Sequence, residues 1–349
     1  MRRHECEPFT SGFESGEKET MRYLVAGGAG FVGSHAVLSL LDAGHEVVVL
    51  DNLSTGHREA IPTAARFHHA DLMDLAATQE VLASQSFDGV LHFAALSLVG
   101  ESMADPLRYF EHNGVSSLNL IRACVDNGVR KFVFSSTAAL FGGPERDEPI
   151  PPDAPIEPGS PYGESKYMIE RVLHWADRIY GLRSACLRYF NAAGSDPAGR
   201  AGEDHRPETH LIPLTIDVAL GRRPALKVFG TDYPTRDGSC VRDYLHVGDL
   251  GTAYSHVLDQ IDEKSVVFNL GTGRGYSNIE VIEAVERVSG RKLPWEAAPR
   301  RGGDPATLVA DPSQFMKDTG WSPHLSALDT IVETAFRWRE SHPDGYGIA

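Results

Sequence analysis

Tyr23-Leu-Val-Ala-Gly27-Gly-Ala-Gly30-Phe-Val-Gly33-Ser-His-Ala-Val-Leu-Ser-Leu-Leu-Asp-Ala-Gly44-His-Glu-Val47-Val-Val-Leu-Asp51 reads as a strand, a glycine-rich turn, a helix and a second strand. The two apolar runs are too short and too continuous for an amphipathic helix and have the composition of strands buried on both faces. The stretch between them has helical periodicity and stops at Gly44, a residue suited to the position after a helix end. Glycines between a strand and a helix permit a tight turn, let backbone amides approach a pyrophosphate, and bring the helix close to the sheet. The unit therefore predicts a dinucleotide site, with Gly27, Gly30 and Gly33 as its turn. Asp51, at the end of the second strand, is placed to bond a ribose diol. Its charge would oppose a 2′-phosphate, so NAD is expected rather than NADP.

The same alternation continues outward. Further strands are predicted at Gly89–Phe93, Lys131–Ser135 and Ser184–Arg188, with helices near 105–127 and 161–180. Strands that alternate with helices imply a doubly wound parallel sheet covered on both faces, a Rossmann-type α/β fold. After Asn191 the rhythm breaks into a stretch rich in Gly, Pro and Asp, where a smaller mixed α/β lobe is expected to begin. Val267–Leu270 reads as one more strand that returns to the main sheet. We therefore expect a disordered extension over 1–20, a cofactor domain over 21–190, and a mainly substrate-binding lobe over 191–349.

Composition narrows the function. Hydrophobic residues make up 42% of the 349 and charged ones 23%, and no apolar run approaches the ~20 residues of a membrane helix. The formal charge of -15 would repel nucleic acid and acidic lipid, so neither is an expected partner. A phosphate-bearing ligand must instead be held locally by arginines and backbone amides. Cys6, Cys124, Cys186 and Cys240 are widely separated, which suggests neither a disulfide framework nor a zinc knot and fits a reducing cytoplasm. The histidines form no His-Glu-x-x-His pattern, and the adjacent His68 and His69 would face opposite sides of a strand. No metal is expected.

A catalytic constellation lies downstream. In Ser160-Pro-Tyr162-Gly-Glu-Ser-Lys166 a capping serine and a first-turn proline start a helix, so Tyr162 and Lys166 share one face. An ammonium beside a phenol favours the phenolate, and the positive ring of bound NAD would add to that, which would make Tyr162 a general base. A purely structural Tyr–Lys pair has the same spacing. Thr137, beyond Ser135 and Ser136 at the carboxyl end of its strand, stands where open α/β sheets bind ligands. Its hydroxyl could bridge Tyr162 and a substrate oxygen, or simply satisfy backbone groups. Asp71 could face the adenine or cap a helix. Arg242 could grip a diphosphate or form a surface ion pair.

With the glycine turn, Thr137, Tyr162 and Lys166 in this order, the chain resembles the extended short-chain dehydrogenase/reductase family, and within it the UDP-hexose 4-epimerases. Further stretches carry the likeness: Asp51-Asn-Leu, His92-Phe-Ala-Ala, Val99-Gly-Glu-Ser, Leu187-Arg-Tyr-Phe-Asn191, Phe229-Gly-Thr-Asp-Tyr-Pro-Thr, Val241-Arg-Asp-Tyr-Leu-His-Val, Arg300-Arg-Gly-Gly-Asp304 and His342-Pro-Asp-Gly-Tyr. The resemblance implies catalysis by Thr137, Tyr162 and Lys166. It implies NAD contacts from Gly27, Gly30, Phe31, Val32, Gly33, Asp51, Asn52, Asp71, Leu72, Phe93, Ala94, Ala95, Lys166 and Tyr189. For the UDP-sugar it implies Thr137, Tyr162, Asn191, His210, Leu211, Phe229, Arg242, Arg301, Asp304 and Leu308.

Some positions depart from the family pattern. Ser97 replaces a lysine that some members use near the cofactor phosphates, His112 replaces the first of two asparagines, with Asn113 kept, and His210 and Leu308 stand where some members have Asn and Tyr. The implied reaction is a 4-epimerisation through a 4-keto sugar with retained NAD, by a homodimer paired through helices near 105–127 and 161–180. A 4,6-dehydratase is disfavoured, because Ala138 and Ala139 follow Thr137 where that chemistry needs an acid and a base. A UDP-pentose, UDP-uronate or UDP-N-acetylhexosamine 4-epimerase would share every catalytic residue. A non-catalytic NAD-binding protein would not need Tyr162, Lys166 and Thr137 together.

Overall fold

The computed structural model describes residues 19–142, 148–301 and 304–347; nearly all of the expected 1–20 extension, and Cys6 with it, lies outside them. Seven strands form a parallel sheet: β1 Arg22–Ala26, β2 Glu46–Asp51, β3 Arg66–His69, β4 Gly89–His92, β5 Lys131–Thr137, β6 Arg183–Tyr189 and, much later in the chain, Val266–Leu270. The last of these pairs with β6 at one edge, and β3 closes the other edge beyond β2. The parallel sheet and the return of 266–270 follow the sequence expectation.

Alternation along each strand feeds two cores. Leu24, Ala26, Val48, Leu50, Val90, Phe132 and Phe134 pack on one face against helices α2 Leu75–Ala83, α4 Pro106–Asp126 and α5 Pro161–Tyr180. Tyr23, Val25, Val47, Val49, Leu91 and Val133 pack on the other, against α1 Phe31–Asp42 and α7 Val247–Val257. Because successive side chains of a strand point to opposite faces, a strand covered on both sides must be apolar throughout. A short helix, α3 Val99–Ala104, is separated from α4 by Asp105 alone, whose carboxylate accepts the Arg108 amide as a cap, with Pro106 opening α4.

The smaller lobe is built on α6 Leu211–Ala219, α8 Asn278–Ser289 and α10 Leu328–Ser341, which share a core with the short strands β8 Leu226–Phe229 and β9 Val241–His246. β7 Asn191–Ala193 runs directly on from β6 and pairs with β9, so the exit of the main sheet leads into the second lobe. In chain order the returning strand is β10 Val266–Leu270, followed by β11 Gly275–Ser277, β12 Trp295–Ala298 and β13 Thr307–Leu308. β11 and β13 flank β9, and β12 pairs with β8. A seven-residue helix, α9 Ser313–Thr319, packs Phe315 on the main core. These short strands escaped sequence reading because, unlike β1, β2 and β4, sequences such as LKVF, VRDYLH, GYS and WEAA carry no continuous apolar run to mark them.

Candidate active site

The carboxyl ends of β1, β2, β4, β5 and β6 open into one cavity of about 850 Å³ that runs on to α6, β8 and β9 of the smaller lobe. At one end stands the glycine turn. Gly27 has φ +81° and Gly33 lies so close to it that a Cβ on Gly33 would stand 2.1 Å from the Gly27 carbonyl oxygen. A Cβ on Gly27 would stand 2.4 Å from the Ala94 nitrogen, so the turn, the head of α1 and the end of β4 are pressed together. Gly30 differs: its φ of -78° suits any residue and a Cβ would meet only the Gly27 oxygen at 3.5 Å. No side chain caps α1. Its first backbone amides are thus left for an external acceptor at the positive end of the helix, which suits a pyrophosphate.

Asp51 is buried, and its carboxylate accepts the amides of Ala29 (2.9 Å) and Leu53 (2.8 Å). Burial raises its pKa and the two amides oppose the rise. Asp71 takes one of its two anticipated roles off the table: the cap of α2 is Asp74, which accepts from Ala76 and Ala77. Asp71 instead accepts from Asn52 Nδ2 (3.1 Å) and the Met73 amide (2.8 Å) on the cavity wall. Leu72, Phe93, Ala94, Ala95, Phe31, Val32 and Tyr189 complete the wall expected for the cofactor, so every residue assigned to NAD from sequence reaches the cavity. The glycine cradle, the free amides and the acidic strand end fit NAD.

Thr137, Tyr162 and Lys166 meet in the same cavity. Ser160 caps α5 through the Gly163 amide (3.2 Å), and Gly163 lets the helix approach the Ala139 carbonyl, where a Cβ would stand 2.5 Å from that oxygen. Asn113 of α4 ties this helix to the loop after β4 by donating to Ser165 Oγ and to the Leu96 carbonyl, both at 3.0 Å. Lys166 donates to the Ser135 carbonyl (2.8 Å) and lies 4.8 Å from the Phe134 ring centroid.

In the protein without its cofactor, burial opposes ionisation of both groups. Burial pushes the Tyr162 phenol well above its ordinary pKa, the neighbouring Tyr189 adds to the rise, and the hydrogen bond with Thr137 offsets only part of it. Lys166, fully enclosed, is driven down to about 7 by desolvation. The ammonium that sequence reasoning enlisted to ionise Tyr162 is itself disfavoured by the low-dielectric site, because burial penalises both charged forms. In the protein alone burial thus favours the neutral phenol of Tyr162. A cationic nicotinamide in the cavity would favour the phenolate.

In the other half, Asn191, His210, Leu211, Phe229, Arg242, Arg301 and Asp304 line the cavity. Leu308 does not appear in that lining; it sits on β13 beside Arg242 and packs with the cluster of Ala138, Leu140, Phe141 and Phe190. Arg242 pairs with Asp304, not with its neighbour Asp243, which is buried and accepts from Thr272, Gly273 and Ala310. Arg301 stands over the Phe229 ring, 4.1 Å from its centroid.

Several participants were not anticipated. Arg188 makes a bidentate pair with Glu170 (2.9 and 2.6 Å), and Ser136 donates to the same carboxylate at 2.6 Å. This buried triad bolts α5, one turn beyond Lys166, to the strands next to Thr137. Its apolar surroundings hid it from a scan for periodicity. Ser135 donates to the Tyr189 hydroxyl (3.1 Å), and Glu203 and His205 also reach the cavity, as do Ser97 and His112, two of the departures from the family pattern seen in the sequence.

Comparison with known proteins agrees with this geometry. The profile of the NAD dependent epimerase/dehydratase family matches residues 23–271. A UDP-glucose 4-epimerase from Lacticaseibacillus casei is 48% identical over 329 residues, spanning 94% of this chain and 99% of that one. A crystal structure of a UDP-glucose 4-epimerase superposes with a TM-score of 0.91 at 45% identity, over 94% of this chain and 100% of the other. The Bifidobacterium longum UDP-glucose 4-epimerase in complex with NAD+ and UDP gives 0.88 at 36% identity, over 93% and 99%. Residues 23–271 carry the glycine turn, Thr137, Tyr162 and Lys166, and with this fold and these relatives the chain belongs to the NAD dependent epimerase/dehydratase family.

Proposed function

We propose that this protein interconverts UDP-galactose and UDP-glucose, with NAD retained as a prosthetic group. The observation that carries the reading is the convergence of Thr137, Tyr162 and Lys166 with the glycine turn at one end of a single cavity and Arg242 and Arg301 at the other. NAD supplies a hydride acceptor and donor that is regenerated in each cycle.

This chain's own residues do the rest. Gly27 and Gly33 set the turn, and the amides at the head of α1 bind the pyrophosphate, while Asp51 and Asn52 take the ribose and Asp71 the adenine side. Tyr162 takes the proton of the sugar 4-hydroxyl and later returns it, and Thr137 links the phenol to the sugar oxygen. Lys166, in its protonated form, supports the phenolate, and it also supports the cofactor ribose. Arg242 and Arg301 hold the diphosphate as fork-shaped cations, which requires Arg242 to exchange its Asp304 partner for phosphate. Phe229 offers a ring face to the base, and Asp304, so released, is free for the uridine ribose. Tight hold on UDP and loose hold on the sugar let the 4-keto intermediate turn over its tether and present its other face.

Residues up to 190 act mainly as the cofactor half and those from 191 as the nucleotide-sugar half, with 247–270 contributing to the first. We further propose a homodimer in a reducing cytoplasm. Leu107, Leu118, Trp175, Ile179 and Tyr180 on α4 and α5 are exposed apolar side chains on neighbouring helices, which a partner's same helices would cover. Cys124, Cys186 and Cys240 are free thiols. Among the described residues no helix is long and apolar enough to cross a membrane.

The test is to incubate purified protein with UDP-galactose and no added nucleotide. Formation of UDP-glucose is expected; its absence from protein that contains bound NAD would refute the proposal.

A further inference from the structure

Between the two halves runs the segment Glu203-Asp-His205-Arg-Pro-Glu208-Thr-His210. Its acidic and imidazole side chains turn toward one another. Glu203 Oε1 lies 2.5 Å from His210 Nδ1 and 3.2 Å from His205 Nδ1, and Glu208 Oε1 lies 3.9 Å from each of those nitrogens. One donor atom from each of the four residues falls within 4.8 Å of all the others. Four ligands about a tetrahedral Zn²⁺, at bond lengths near 2.05 Å, are separated by about 3.3 Å. The observed spacings bracket that value.

Two further features point to an ion. The side chains of Glu203 and Glu208 are each 6% exposed, and a pair of carboxylates this close inside a protein needs compensating charge, of which Arg339, 3.8 Å from Glu208 Oε2, supplies one unit. Glu208 Oε2 and His205 Nδ1 are buried and make no hydrogen bond. Hydrogen bonding among the four is thus incomplete although their spacing is compact. The donor set selects the metal. Two imidazole nitrogens with two carboxylates suit Zn²⁺ and its first-row neighbours, whereas Mg²⁺ and Ca²⁺ prefer oxygen throughout. We propose that Glu203, His205, Glu208 and His210 form a binding site for one divalent transition-metal cation, Zn²⁺ by its donor chemistry, which pins this segment to the wall of the active-site cavity.

This departs from the expectation of no metal. That expectation looked for His-Glu-x-x-His on a helix, whereas here the pattern is Glu-x-His-x-x-Glu-x-His in an irregular segment. The ion would have a positioning role. Glu203, His205 and His210 line the cavity; the His205 ring meets Phe31, the first residue of α1, edge-on at 6.1 Å; and His210 leads directly into Leu211, the first residue of α6. One cation would therefore register the first turn of a cofactor-side helix against the first turn of a helix from the other half.

The experiment measures metal in untagged holoenzyme expressed with zinc and passed through metal-free buffer. About one Zn²⁺ per chain is expected, falling to under about 0.1 in a His205→Gln, Glu208→Gln double variant, since each lost ligand removes a bond the tetrahedral site needs. Chelator-treated wild type given Co²⁺ should show the visible bands of a tetrahedral nitrogen–oxygen site, and Zn²⁺ should abolish them. Bound NAD and circular dichroism report whether the variant has folded. If it has not, the wild-type zinc content and cobalt spectrum decide alone. Metal-free wild type after zinc reconstitution, or a folded variant that keeps its zinc, would overturn the site and leave an ion-pair cluster only.

Discussion

Gly30→Ala separates the cofactor's demands from those of the fold. Four glycines lie in the turn after β1, at 27, 28, 30 and 33, and the fold does not need them equally. At Gly33 a methyl would stand 2.1 Å from the Gly27 oxygen and 2.9 Å from its carbonyl carbon, both backbone atoms that cannot swing aside. At Gly30 the backbone is extended and a methyl would meet one atom at 3.5 Å, ordinary contact. The protein by itself has no need of glycine at 30. If the pyrophosphate rests on this turn, the methyl projects into it, and an overpacked contact of that kind costs ~1–3 kcal/mol, about 5- to 150-fold in affinity. Gly30→Ala should therefore keep a wild-type thermal midpoint when both proteins are stripped of nucleotide, yet bind NAD 5- to 150-fold more weakly by calorimetry. Gly33→Ala should lose both stability and NAD. A Gly30→Ala protein with unaltered NAD affinity would refute the placement of the pyrophosphate.

Tyr162→Phe should lower kcat by ~100- to 10,000-fold through loss of the base, with UDP affinity kept; activity within threefold of wild type would show that the base lies elsewhere. Lys166 has a folded pKa of about 7 against 10.5 in the open chain, so between those values the unfolded state binds more protons and stability rises with pH. Lys166→Met should accordingly raise the midpoint of nucleotide-free protein near pH 7, with the gain shrinking toward pH 10; a gain independent of pH would contradict a desolvated lysine. The nucleotide in purified protein should be NAD by mass spectrometry, and NADP would overturn the role of Asp51. Leu107→Asp with Ile179→Asp should shift sedimentation from dimer to monomer, and an unchanged coefficient would exclude the α4–α5 face as the interface.

Much of this was legible in the chain because it is local. An apolar run of four, a glycine turn, Ser160-Pro161 at a helix start and the four-residue step from Tyr162 to Lys166 are set by backbone sterics and by the 3.6- and 2-residue periods. They locate the parallel sheet, the strand end that carries Thr137 and the helix face that carries the base. Where side chains go beyond their own element was decided by tertiary packing. Asp71 lost its capping role to Asp74 because α2 begins three residues later, and Arg242 turned to Asp304, 62 residues away, instead of Asp243 beside it. Leu308 left the cavity lining for an apolar cluster beside Phe141. The charge state of the site was decided there too: a lysine one turn from a tyrosine suggests a phenolate on paper, but the sign of the effect depends on how much water both groups lose. Water exclusion is a property of the closed cavity, summed over strands and helices far apart in the chain, and it drives Lys166 down and Tyr162 up together.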